Sequence, residues 1–281
     1  MSTDDVCKAY AERILAYHNL DTECVPACEG VINNVFMSRD AVVRMPKETN
    51  RVCNFPGEKW AIERAWEQDV PAPLVLAVDM SKSLVPVPYM VVERLPGKRV
   101  YESTPDMCRE LGEVLSKIHA VKTVGYGKVD ANGIGSKSDW KANIDMKRSM
   151  LPELAKIDPS LAVRAESVYD DLENCPQPSC LVHGDYGLHN MLFIDGKLTG
   201  LFDFTGRSDS AHYDIGDLFL RAPDAIIHFE EGYGRHFDYH LAMLYAAANA
   251  VSKLPFMHEV MPDIAVKTQR SLDEILKKLG K

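Results

Sequence analysis

The chain has 281 residues and a mass of 31.4 kDa, with 46% apolar and 26% charged residues. That is enough for one large domain or two modest lobes, and it excludes global disorder. Its 41 acidic and 32 basic side chains leave a net charge of −9, which lacks the basic footprint of a nucleic-acid coat and is compatible with a cationic ligand.

No apolar run approaches the roughly 20 residues of a membrane span. The opening MSTDDVCKAY has no basic segment leading into an apolar core, so no secretory signal is expected. Seven cysteines at scattered spacings argue against a disulfide framework. Cys24 and Cys28 form a close pair near a turn, but no second pair follows to complete a zinc site. Reduced thiols and a cytoplasmic protein are the expectation.

Along the chain, residues 5–18 place Val6, Tyr10, Ile14 and Leu15 at helical spacing. Residues 24–27, 34–38 and 41–45 are short and β-prone, the last two joined by a tight turn at 39–40. A helix is expected over 58–68, stopped by Pro71 and Pro73. Strands follow at 74–78 and 89–93. At 95–97 the texture changes, and 103–106 reads as a helix start with Pro105 in the first turn. Met107, Leu111, Val114, Leu115 and Ile118 form that helix's apolar stripe. Helices also fit 160–172, 240–252 and 265–279, around one β-rich island at 180–204. Two lobes joined near 93–97 are the simplest reading: residues 1–94, a small antiparallel sheet with a helix, and residues 95–281, mainly helical.

The island CLVHGDYGLHNMLFIDGKLTGLFDF carries the polar residues that invite chemistry. Asp203 ends an apolar strand, where a carboxylate is costly unless paired or bound to a metal. With Asn190 it offers the hard oxygen ligands Mg²⁺ prefers. Asp185, on the same loop, is placed to orient a hydroxyl and take its proton. His183 reads as a structural histidine bonded to backbone, and His189 as a residue on the solvent or substrate side.

HGDxxxxN followed thirteen residues later by an Asp in an apolar strand resembles the catalytic and metal loops of the aminoglycoside phosphotransferase and choline kinase group, relatives of the protein kinases. Phe204 and Thr205 follow the Asp, so the protein-kinase glycine of DFG is missing. Residues 213–217, YDIGD, resemble the motif whose Asp braces the catalytic loop in antibiotic kinases. The resemblance implies a bilobal, protein-kinase-like α+β fold with residues 1–94 as the nucleotide-binding lobe. It also implies Mg²⁺ held by Asn190 and Asp203, with ATP or GTP as phosphoryl donor. Residues 30–34, including Asn33, lie where the family covers the phosphates with a turn. Arg44, ending the third strand, takes the place of the phosphate-binding basic residue, with Lys47 as a second candidate. Its expected partner is a helix glutamate, Glu58 in preference to Glu63. YMVVERLPG at 89–97 resembles the hinge, with backbone groups at Glu93 and Leu95 facing the adenine edge. Leu192 and Phe202 would floor that pocket.

For the acceptor, Asp209, Asp214, Asp217, Glu230, Glu231 and Asp238 suggest an acidic wall for a small cationic molecule, with His189 as a separate candidate contact. An aminoglycoside is the preferred class by resemblance. Tyr213, Phe229, Tyr233, Phe237 and Tyr239 leave a choline-type aromatic cage open. The segment 125–133, followed by Trp140, resembles an insert of the antibiotic kinases. Other readings are a kinase of choline, homoserine or a sugar, a protein kinase, and a nucleotide-binding pseudoenzyme. No nucleic acid, membrane or obligate protein partner is expected.

Overall fold

The computed structural model describes residues 3–27, 32–47 and 53–281. Cys28, Gly30 and Val31 lie outside these residues. Helix α1 (Thr3–Tyr17) precedes strands β1 (Val25–Pro26), β2 (Asn33–Met37) and β3 (Ala41–Pro46), helix α2 (Phe55–Trp66), and strands β4 (Val75–Asp79) and β5 (Tyr89–Glu93). Among the described residues the strands form one antiparallel sheet in the order β1-β2-β3-β5-β4. Side chains alternate faces along a strand. Tyr89 and Val91 therefore pack with Ile14 and Leu15 of α1, while Met90 and Val92 pack with Ala61, Ile62 and Ala65 of α2. Helix on both faces explains why β5 reads as an unbroken apolar run. Helix α2 begins three residues earlier than the expected position 58, because Pro56 in a first turn costs no hydrogen bond.

The remaining chain starts with α3 (Pro105–Ala120), whose N-terminus is capped by the Thr104 hydroxyl accepting from the Met107 N–H. Its expected apolar stripe is buried. Strands β6 (Tyr126–Val129) and β7 (Gly135–Lys137) and helices α4 (Trp140–Arg148), α5 (Leu151–Ile157) and α6 (Pro159–Glu173) come next. Strands β8 (Cys180–Val182), β9 (Met191–Ile194), β10 (Lys197–Leu201) and β11 (Arg207–Asp209) carry the polar island and its exit. Helices α7 (His212–Arg221), α8 (Ile226–Tyr233), α9 (Tyr239–Val260) and α10 (Pro262–Lys278) complete the chain. Strands β9 and β10 form a hairpin, and β7-β6-β11-β8 form a second small sheet.

The segment at 125–133 is thus a strand of that sheet rather than a Gly-rich turn alone. Helices α4, α5, α7 and α8 fall where the sequence suggested none. Each is short, and α7 buries Asp214 and Asp217 on its inner face, which breaks the apolar period. Helix α9 runs on to Val260 with Pro255 inside it.

One continuous core joins the two parts, running from Phe55 and Ile62 through Met90 and Leu111 to Met191 and Phe204. An isolated bridge between Lys98 and Phe193 ties the connecting segment to β9. Among the described residues no helix is long and apolar enough to cross a membrane.

Candidate active site

The loop between β8 and β9 is held from beneath. Asp214, buried on α7, accepts the N–H of His183 at 2.7 Å and that of Gly184 at 2.8 Å. His119 of α3 donates to the same carboxylate at 3.1 Å. Burial opposes ionisation of Asp214, but His119 and the backbone N–H groups outweigh it and lower its pKa. Gly184 has φ +86°, and a Cβ there would fall 1.9 Å from Thr205 Oγ1. Glycine is therefore required on both steric and backbone grounds. His183 is fully buried, with Nε2 donating to the Phe202 carbonyl at 3.0 Å and Nδ1 accepting from the Asp185 N–H at 3.2 Å. One neutral tautomer satisfies both bonds, and burial lowers the pKa further. His183 shapes the loop.

Asp185 follows, with its carboxylate 31% exposed and surrounded by donors. His189 Nε2 donates to Oδ2 at 2.9 Å. Asn190 Nδ2 donates to Oδ2 at 3.1 Å and to the Asp185 carbonyl at 3.0 Å. Arg221, in the last turn of α7, binds Oδ1, and Lys253 of α9 stands 3.8 Å away. Burial raises the pKa of this carboxyl, yet His189, Arg221 and Lys253 hold it well below the ordinary value. Asp185 is thus a carboxylate at neutral pH.

Asp203 sits on the next turn at φ +65°, a left-handed conformation that Asp tolerates better than most residues. Its neighbour Phe202 donates its N–H to the Asn190 carbonyl at 3.0 Å, which brings Asn190 and Asp203 side by side. The two acceptors on Asp185 engage the amide nitrogen of Asn190, so the Oδ1 end turns the other way. Asn190 and Asp203 therefore present an amide oxygen and a half-exposed carboxylate. Among the described residues no group of three or more His, Cys, Asp or Glu side chains forms a metal cage. Two hard oxygen ligands fit Mg²⁺, which retains waters and takes phosphate oxygens.

Across the cleft, Arg44 bridges Glu58 at 2.9 Å and Asp203 at 2.6 Å. Burial works against its charge, but the two carboxylates outweigh it and its pKa rises. Burial also raises the pKa of Glu58 against the pull of Arg44. Glu63 instead pairs with Lys59 on the solvent side of α2, at 3.1 Å, and Lys47 is exposed. Nearby, a Cβ at Gly200 would meet Leu95 Cδ1 at 2.9 Å and Leu192 Cδ1 at 3.3 Å, so Leu95 and Leu192 line one space. Phe202 carries the Arg99 guanidinium 5.6 Å from its ring centre. The Glu93 N–H goes to the Leu74 carbonyl at 2.9 Å, which removes it from the candidate ligand donors. Asn33 begins β2, opposite Pro46.

The acidic wall expected from the sequence needs correction. Asp209 is fully buried and binds Lys147 at 2.8 Å, Asn143 at 3.2 Å and Tyr245 at 3.1 Å. Asp217 is fully buried against Asn249 and Lys253. Glu230 accepts from the Phe237 N–H and the Tyr239 hydroxyl. Glu231 pairs with Arg109, and Asp238 caps α9 by accepting from the Leu241 N–H. All five serve the fold. Nor do the aromatic residues form an open cage, since Phe229, Tyr233 and Phe237 are core, and Tyr213 is buried with Lys147 4.4 Å from its ring centre.

Sequence reasoning missed Arg221 and Lys253. One signal for Arg221 was available: Asp214, Asp217 and Arg221 recur at helical spacing along one face of 212–221.

A two-lobed fold with this pair of facing loops belongs to the protein-kinase-like class. The chain is a member of the phosphotransferase enzyme family, whose model matches residues 23–248. Among curated proteins it is similar to a hygromycin-B 4-O-kinase of Escherichia coli, 25% identical over 171 residues, 55% of this chain and 49% of that one. It is also similar to a homoserine kinase of Caulobacter vibrioides, 31% identical over 163 residues, 56% and 49% of the two chains. The chain thus spans about half the length of the curated relatives it matches. A thermostable mutant of the aminoglycoside phosphotransferase APH(4)-Ia superposes with a TM-score of 0.76 at 18% identity, covering 95% of this chain and 98% of that one. A putative fructosamine-3-kinase from Thermobifida fusca gives 0.70 at 14% identity, covering 95% and 99%. At these identities the likeness is one of fold.

Proposed function

We propose that the protein is an O-phosphotransferase that moves the γ-phosphoryl group of ATP or GTP to a hydroxyl of a small molecule. The observation that carries this reading is the convergence of Asp185, Asn190, Asp203, Arg44 and Glu58 on one cleft. Residues 1–94 act as the nucleotide-binding lobe, and residues 95–281 carry the catalytic loop, metal site and acceptor pocket. The APH(4)-Ia relatives studied as complexes with ADP or AMP-PNP support an adenine nucleotide as donor. Asn190 and Asp203 would hold Mg²⁺, which would supply charge neutralisation at the phosphates.

In this mechanism Arg44 grips phosphate oxygens and Glu58 fixes the guanidinium. Leu95, Leu192 and Phe202 enclose the base. Asp185 orients the acceptor hydroxyl. As the acceptor oxygen bonds to the γ-phosphorus and the bond to the β-phosphate oxygen breaks, the hydroxyl proton passes to Asp185. The loose transition state makes positioning and charge neutralisation the main demands, so no covalent enzyme intermediate is needed. A low basicity at Asp185 suits a proton taken late. The cytoplasm, where the nucleotide resides, is the proposed location.

Two acceptor classes draw support from the relatives: aminocyclitol antibiotics, from the hygromycin-B kinase, and homoserine-type amino alcohols, from the homoserine kinases. The test is ADP release coupled to acceptor, run with hygromycin B, choline, homoserine and sugars. Acceptor-dependent release that requires Mg²⁺ is expected. A protein that binds Mg²⁺–nucleotide but releases no ADP with any member would be a nucleotide-binding pseudoenzyme.

A further inference from the structure

Beside the catalytic loop, a cavity of about 310 Å³ opens between residues 99–103, the loop itself and the end of α7. Met191 and Phe229 contribute to its apolar lining, and Tyr101 stands at its exposed edge. The basic residues in its lining are Arg99, His189 and Arg221, and no carboxylate lines it.

The charges around it are already resolved. Arg221 binds Asp185 directly, and its Nη1 lies 3.2 Å from His189 Nδ1 and 3.1 Å from Nε2, against the imidazole ring. His189 Nε2 donates to the same carboxylate, so the imidazole and the guanidinium both meet Asp185. Lys253 balances Asp217 and approaches Asp185. The two carboxylates, Asp185 and Asp217, therefore meet two permanent cations, Arg221 and Lys253. A polycation entering here would face no uncompensated negative charge.

An arginine carries five N–H donors in a fixed fork suited to oxyanions. The Arg221 side chain stays 28% exposed while holding Asp185, and it borders the cavity. From this geometry we infer that the cavity receives the acceptor and that the acceptor carries an anionic group, a carboxylate or a phosphate ester. Arg221 holds that group, with His189 alongside, which sets the acceptor's hydroxyl next to Asp185. The cavity lies near the lower end of the roughly 300–1,000 Å³ typical of ligand pockets, so the acceptor is a small hydroxy acid or sugar phosphate rather than an oligosaccharide. This inference rests on the phosphotransferase reading and specifies its substrate class.

The experiment compares acceptors that differ only in the anion: glycerate against glycerol, homoserine against its reduced diol, and glucose 6-phosphate against glucose, with hygromycin B and choline alongside. ADP release is measured on the full chain, and Mg²⁺–ADP binding is measured separately by calorimetry. Turnover is expected with an anionic member and not with its neutral counterpart, and the carboxylate and phosphate arms tell the two anions apart. Tyr101 is 87% exposed, so Tyr101→Glu adds a negative charge at the cavity edge without disturbing the core. It should raise the acceptor KM about tenfold or more and leave the nucleotide KM unchanged, while Tyr101→Gln, which adds no charge, should raise the acceptor KM far less. Hygromycin B or choline as best acceptor, equal rates for anionic and neutral partners, or an indifferent Tyr101→Glu would overturn the inference. So would Mg²⁺–ADP binding with no turnover of any anionic member, although the phosphotransferase reading would survive. Loss of Mg²⁺–ADP binding itself counts against that reading instead.

Discussion

Arg44 and Asp203, 159 positions apart in the chain, lie 2.6 Å from each other across the cleft, and the same guanidinium holds Glu58 at 2.9 Å. The candidate phosphate grip and the candidate metal ligand thus neutralise each other. In the proposed reaction, nucleotide phosphates would take over Arg44, leaving Asp203 to hold the cation. Both partners are then already in place, and binding exchanges one ion pair for two.

Arg44→Met should destabilise the fold by about 3 kcal/mol, because it strands Glu58, only 15% exposed, beside Asp203. Adding Glu58→Gln should recover most of that loss, since the uncompensated charge is gone. Urea unfolding of the two single variants and the double variant measures the coupling. Additive effects would remove this pair from the stability account.

Asp203→Ala should separate two kinds of nucleotide binding. Without its carboxylate, Mg²⁺–ADP affinity should fall at least about tenfold. Metal-free ADP should bind as well as before or better, because Arg44 is released from its partner. Calorimetry with and without Mg²⁺ checks this, and an unchanged Mg²⁺ dependence would refute the metal assignment.

Much of the site was legible because it is local. Asp185 and Asn190 share one loop, and Asp203 ends the strand that follows their hairpin, so spacing alone placed them together. Arg44 and Glu58 were paired by resemblance to the family rather than by spacing, and the ion pair at 2.9 Å bears that pairing out. The acidic wall failed for the opposite reason. Asp209 meets Lys147, and Asp217 meets Lys253, across 62 and 36 positions, and no local pattern announces such neutralisation. Helix α9 was recognised because its Ala-rich, apolar run needs no partner to be read, whereas α7 buries acids whose counter-charges lie elsewhere. The brace from Asp214 to the loop was expected of the YDIGD segment by resemblance, but its His119 bond depends on a helix packed from far upstream.

Gly184→Ala should be damaging in two ways. The left-handed backbone is strained for alanine, and the new Cβ meets Thr205 Oγ1 at 1.9 Å. A loss of at least about 2 kcal/mol is expected, together with loss of turnover as the loop shifts. Thermal unfolding and kcat on the same preparation measure both. A stable, fully active variant would mean the loop is not held as described.

His212 sets a stability gradient with pH. Burial lowers its pKa from 6.5 to about 4, against the pull of Asp238 and with a small push from His119. The unfolded chain therefore takes up the proton first as pH falls. Stability should be level above about pH 6.5 and decline between pH 6.5 and 4, by roughly 3 kcal/mol at most. His212→Asn should make that part of the profile shallower, with buried His183 left to contribute the rest, as read by urea midpoints from pH 7 to 4.5. A wild-type slope retained in the variant would assign the effect to another group.

In the proposed reaction Asp185 takes the acceptor proton during transfer of the γ-phosphoryl group. The most direct test of that role is turnover of Asp185→Asn with the best acceptor found, with ADP release and phosphorylated product measured together and Mg²⁺–nucleotide affinity measured in parallel. A folded variant with near-normal Mg²⁺–nucleotide binding and turnover lowered by at least about a hundredfold is expected. Turnover close to that of the unsubstituted protein would contradict that role.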